Sequence, residues 1–108
     1  MSGDLPHNPQ WFSLSRLQAL ELLDKHHQFP GSYMFKAIGF NTEEFAEAVR
    51  KAAEAVLGPL ESKGELRCRL SREKRYLAVT LEVEVVGAAQ VLEIYDALRR
   101  LPGVISLA

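Results

Sequence analysis

With 108 residues, 47% of them hydrophobic and 25% charged, the chain suits one globular domain able to bury roughly 60–70% of its unfolded surface, and wholesale disorder is excluded. Thirteen Lys and Arg against 14 Asp and Glu leave a formal charge of −1, which gives no net pull toward nucleic acid or an anionic membrane. A single cysteine, Cys68, rules out an intrachain disulfide.

The opening MSGDLPHNPQ is polar, carries Pro6 and Pro9, and lacks the apolar core of a signal peptide, so residues 1–12 read as a flexible leader. No later run approaches the roughly 20 apolar residues that span a bilayer, and a cytoplasmic protein without a membrane partner is the expectation. A helical extension over 13–28 follows, with Leu14, Leu17, Leu20 and Leu23 near one stripe and Arg16, Gln18, Asp24 and Lys25 on the wetter side. Ser13 can cap this helix, and Ser15 with Gln18 has the alternative capping-box spacing. Phe29-Pro30-Gly31 then imposes a turn.

Ser32 to Ile38 reads as the first strand, with Tyr33, Phe35 and Ala37 facing one way and Met34, Lys36 and Ile38 the other. Apolar groups on both faces point to a central strand with something over part of its second face. Asn41 followed by Glu44 has capping-box spacing, and opens a helix whose buried stripe is Phe45, Val49, Ala52, Ala53 and Val56, stopped at Gly58-Pro59.

The alternation from Glu65 to Leu70 puts Leu66, Cys68 and Leu70 inward, with Cys68 as a core thiol. After SREK the return strand places Leu77, Val79, Leu81, Val83 and Val85 on the same side. Pairing Leu70 with Arg75 keeps the apolar faces matched and sets Lys63 opposite Glu82, and a two-residue shift keeps them matched equally well. Gly87 then opens a helix with Val91, Leu92, Tyr95 and Leu98 inward, ended by Leu101-Pro102-Gly103 before a short strand over Val104 to Leu107.

After the leader helix this order is strand, helix, strand, strand, helix, strand. It predicts an α+β, ferredoxin-like split βαβ sandwich (βαββαβ) over 29–108: a four-stranded antiparallel sheet of order 4-1-3-2, covered on one face by two helices. Charged Glu65, Arg67 and Arg69 on the expected edge strand would oppose indiscriminate strand addition.

The stretches FPGSYMFKAIG, SREKRYLAVT and VLEIYDALRRLPGVISLA resemble the small bacterial domain-of-unknown-function family 493 (DUF493), also called the YbeD-like or UPF0250 family. The resemblance implies the ferredoxin-like fold, a likeness to ACT regulatory domains and a regulatory connection to lipoate metabolism, and it carries no catalytic motif. Family members often have glycine where this hairpin has Lys74. The ACT likeness makes the strand–helix junctions candidate sites for a small-molecule effector, here Gly39, Asn41 and Thr42, and Gly87.

The remaining chemistry is sparse. His26, His27 and the leader's His7 make no metal set, Glu43 and Glu44 fit a helix start, and no nucleophile has an assignable base, so no cofactor or catalytic site is expected. Arg67, Arg69, Arg72, Lys74 and Arg75 with Tyr76 resemble a basic, aromatic nucleic-acid surface. The central-strand aromatics of RNA-recognition sheets are missing from the expected strands, and Glu65, Glu82 and Glu84 share the outer face, so nucleic acid is disfavoured. The leading expectation is a noncatalytic regulatory or protein-interaction domain, able to form homo-oligomers through Leu14, Leu17 and Leu20 on the leader helix and Met34, Lys36 and Ile38 on the first strand.

Overall fold

The computed structural model describes residues 14–60 and 64–108. The expectations placed on 1–12, Ser13, His7 and Lys63 lie outside them. The elements run α1 (Arg16–His26), β1 (Gly31–Phe40), α2 (Phe45–Leu57), β2 (Gly64–Leu70), β3 (Tyr76–Val85), α3 (Ala88–Arg99) and β4 (Val104–Leu107). All three strand pairings are antiparallel, and the sheet order β2-β3-β1-β4 is the expected 4-1-3-2 read from the other edge. The protein is therefore an α+β sandwich of the ferredoxin-like kind.

The alternation along β1 and β3 explains the core. Tyr33, Phe35 and Ala37 of β1 meet Val83, Leu81 and Val79 of β3 on one face, and all are buried beneath α2 and α3. From α2 come Phe45, Val49, Ala52 and Ala53, and from α3 come Val91, Leu92, Ile94, Tyr95 and Leu98. Phe35, Leu81, Ile94 and Leu98 are fully excluded from water, and truncating such a residue to alanine typically costs about 2–5 kcal/mol.

Helix α1 begins at the Ser15 capping box, with Ser15 Oγ accepting from Gln18 N–H at 3.2 Å and Gln18 Oε1 accepting from Ser15 N–H at 3.1 Å. It packs beside α3 in the helical layer: Ala19 and Leu23 join the core, and Arg16 pairs with Asp96 at 3.2 Å. Within one chain the leucine stripe is buried only in part. Leu17 is 66% exposed and Leu14 40%, because contact with a single helix buries one narrow line of side chains, Ala19 and Leu23 with part of Leu20. The open face of the sheet is not covered by α1.

One local expectation also changes, and the open hairpin register is decided. Asn41 does not cap α2; the helix starts at Phe45 after Glu44, which makes no side-chain cap. The Asn41 side chain instead donates to Lys74 O at 3.0 Å, tying the β1–α2 junction to the β2–β3 hairpin. The hairpin register is the two-residue alternative, with Leu70 opposite Leu77 and Glu65 opposite Glu82. Its turn is closed by Ser71, which receives Lys74 N–H on its carbonyl and Tyr76 N–H on its hydroxyl, leaving Lys74 in the left-handed region at φ 63°. Glycine adopts that conformation at least cost, so Lys74 holds it with some strain.

A further correction concerns β2. Leu66, Cys68 and Leu70 do lie on the helix-side face, but Cys68 is exposed and Leu70 is 43% exposed. Helix α2 lies over β3 and β1, so the edge strand projects past the helical layer.

Candidate functional site

The face of the sheet opposite the helices can be read in rows from the pairings. Glu65, Glu82 and Met34 form one row, Arg67, Thr80 and Lys36 the next, and Arg69, Ala78, Ile38 and Ser106 the third. Tyr76 and Phe40, directly opposite one another, close the face at the hairpin end. Acids and bases that alternate in the sequence are thus sorted along the strands. Glu65 and Glu82 flank Arg67 at 2.9 and 3.7 Å toward one end, while Arg69, Arg72, Lys74 and Arg75 gather at the other. None of these four cations has an ion pair among the described residues.

The aromatic pair is the feature that sequence reasoning missed. Phe40 is 51% exposed and Tyr76 half-buried, with ring centroids 5.9 Å apart and planes inclined by 33°. Ending the strand at Ile38 hid Phe40, although Met34, Lys36, Ile38 and Phe40 continue one period-two series across Gly39. Several bonds fix this corner: Phe40 N–H donates to Gly103 O at 3.2 Å, Asn41 N–H to Arg75 O at 3.0 Å, and Thr42 N–H to Phe40 O at 2.9 Å. The two residue groups expected as separate sites, the Gly39–Thr42 junction and the basic hairpin, are brought together here.

The other expected positions have individual roles. Met34 is 51% exposed and Lys36 is exposed, whereas Ile38 is 7% exposed in the middle of the face. Gly39 faces inward, where the Phe45 ring occupies the space that a side chain would need. Gly87 precedes α3 in extended conformation, at the opposite end of β1 from Asn41, with nothing within 4 Å of a would-be Cβ.

Beneath the sheet, Tyr95 donates to Ala108 O at 3.0 Å, so its oxygen accepts from Tyr33 at 3.4 Å. Burial pushes the Tyr95 phenol well above its ordinary value, and the adjacent Tyr33 adds to the shift. Burial also raises Tyr33, partly offset by the bond to Tyr95. Among the described residues no three His, Cys, Asp or Glu side chains converge as metal ligands, and no helix is long and apolar enough to cross a membrane.

Comparison with known proteins settles the lineage. The model of the family described as "Protein of unknown function (DUF493)" matches residues 24–107. The chain belongs to the DUF493 family. Its match begins within the last turn of α1 and takes in the whole βαββαβ unit. The solution structure of protein HP0495 from H. pylori superposes with a TM-score of 0.63 at 15% identity, covering 96% of this chain and 98% of that one, which supports the fold. The ACT domain of the GTP pyrophosphokinase of Chlorobium tepidum aligns with a TM-score of 0.49 at 14% identity, over 71% of this chain and 94% of that domain. No protein of curated function matches the sequence.

Proposed function

We propose that this DUF493 chain is a noncatalytic interaction domain of regulatory type that pairs with a second copy of itself along β2. The observation that carries this reading is the state of that edge: among the described residues β2 has β3 on one side only, and its Cys68 and Leu70 stand exposed beyond the helical layer. An unpaired strand edge beside uncovered apolar groups is a template for strand addition. The other exposed hydrophobics support a joint surface less well, since Leu14 and Leu17 lie on the helical side and Met34 on the open face.

The charges on β2 favour one partner. A two-fold antiparallel pairing centred on Arg67 sets Glu65 opposite Arg69 of the second copy, twice, and Leu66 opposite Cys68. Opposite charges facing across strands stabilise such a pair and like charges oppose it. Arg67 meets its counterpart on the axis while held by Glu65 and Glu82 of its own chain. Small-molecule regulation is the competing reading for the β1–α2 junction, but there the Asn41 side chain and backbone amide are already bonded to the hairpin.

Sedimentation or light scattering from micromolar to millimolar concentration tests the pairing. The wild type should shift from monomer to dimer, Glu65→Arg and Arg69→Glu should each remain monomeric, and the double exchange should dimerise again. A wild type that stays monomeric throughout, or a double exchange no better than the singles, overturns it.

A further inference from the structure

The hairpin end of the open face reaches beyond the β2 seam, sharing only Arg69 with it, and suits a different ligand. We infer that Phe40 and Tyr76, with Arg69, Arg72, Lys74 and Arg75, form a binding site for single-stranded nucleic acid.

The juxtaposition is specific. Phe40 ends β1 and Tyr76 begins β3, the two central strands, and the register places them directly opposite on the face that none of the described helices covers. Their rings make an adjoining apolar platform with Phe40 half open to solvent. Flat, partly exposed aromatics on the central strands of an open four-stranded sheet are a surface on which unstacked bases stack, whatever their identity. At 5.9 Å the centroids are too close for a base to slide between the rings, so a base lies over them.

The cations fit the other half of a nucleotide chain. Arg75 precedes Tyr76, Arg69 is opposite Ala78 one row away, and Arg72 and Lys74 occupy the turn. All four are exposed and free of ion pairs among the described residues. The corner is also anchored before a ligand arrives, through the Asn41 bonds to Lys74 O and Arg75 O and the Phe40 bond to Gly103 O.

The chain's net charge of −1 and the acids of the same face argue against such a site only if they act there. Glu82 stands six residues along β3 from Tyr76, about 20 Å at ~3.4 Å per residue, and Glu65 is opposite Glu82. Arg75, one residue further along, is more than two Debye lengths of about 8 Å from these acids at physiological ionic strength, while Arg69, four residues from Glu65 on β2, is about 14 Å from them. Glu73 in the turn, with Glu43 and Glu44 beyond Thr42, are the acids closer in the chain; Glu44 abuts α2, in the layer behind the sheet. A local excess of cations beside two rings remains. Duplexes satisfy the cations but offer no unstacked base to the rings, which is why the single strand is the ligand.

The test uses the full chain and fluorescein-labelled 12-residue oligouridylate and oligothymidylate, with an RNA duplex as the competitor class. Anisotropy at 50 mM salt should show binding of a single strand, with the duplex bound more weakly. Three or four phosphate contacts predict roughly a 20–50-fold loss of affinity between 50 and 200 mM salt. Phe40→Ala should weaken binding about 5- to 150-fold, while Phe40→Trp keeps it. Arg72→Gln with Arg75→Gln should flatten the salt slope by about 1.4, a change that altered folding would not produce. No binding of either single strand at 50 mM salt overturns the inference. So does duplex binding as tight as the single strand, or a Phe40→Ala protein with unchanged melting and unchanged affinity.

Discussion

Replacing Gly39 with alanine tests whether this residue is held by packing or kept for a ligand. A methyl carbon at Gly39 would stand 2.5 Å from Phe45 Cε1, 2.8 Å from Cε2 and closer still to Cζ. Carbon atoms pack at about 3.5–4.0 Å, so the ring or the strand must move by roughly 1 Å. Neither has room, because Phe45 is 3% exposed and β1 is bonded to strands on both sides at this point. Overpacking of a dense core costs about 1–3 kcal/mol, and three ring atoms inside contact distance place this case near the upper end. For a domain of this size that corresponds to a melting temperature lower by roughly 12–24 °C. Calorimetry and urea unfolding of Gly39→Ala, Phe45→Leu and the double variant form the assay. The shorter side chain vacates the space, so Phe45→Leu should cost less in the Gly39→Ala background than in the wild type, with a coupling of about 1–2 kcal/mol. A Gly39→Ala protein within about 0.5 kcal/mol of wild type, or additive single effects, would refute the packing argument.

Two further outcomes follow from buried and exposed groups. Both Tyr33 and Tyr95 titrate above their ordinary values in the folded state, so these two residues add no pH dependence to stability from neutral pH to about 9. Above that the unfolded chain releases phenolic protons that the folded chain retains, and stability should fall by up to about 1.4 kcal/mol per pH unit for each tyrosine. Urea titrations between about pH 9 and 11 measure this, and Tyr95→Phe should roughly halve the slope; an unchanged slope contradicts the assignment. Cys68, expected from its alternation to be buried, should react stoichiometrically with a disulfide reagent in dilute native protein, because its thiol lies beyond the helical layer. A reaction that waits for denaturant would show that the edge is covered. Raising the protein concentration should slow the same reaction if two copies pair along β2.

The series Tyr33, Phe35, Ala37 and Leu77 to Val85 announced their buried face in the sequence, and the structure keeps it. So did the Ser15 capping box and the stop at Gly58, whose φ is 83°. These signals are local, set by the period of a strand or by hydrogen bonds within one turn of chain. Asn41 shows where such reasoning gives out. Its spacing to Glu44 satisfies the capping pattern, yet its side chain bonds a carbonyl 33 residues away that comes within reach only once β1 and β3 pair.

The sequence by itself determined the elements, their buried faces and, through the order of strands and helices, the ferredoxin-like sandwich, because periodicity and turn chemistry act between near neighbours. Only the tertiary structure decided the hairpin register, the overhang of β2 that leaves Cys68 in water, the seat of α1 against α3, and the meeting of Phe40 with Tyr76. A two-residue slip preserves every inward-facing side chain, so alternation is blind to it, while the β2–β3 register determines which charges share a row and the β1–β3 register which rings touch. Coverage by a helix depends on where the helix comes to rest on the sheet, and that position is fixed by packing among parts of the chain far apart in sequence.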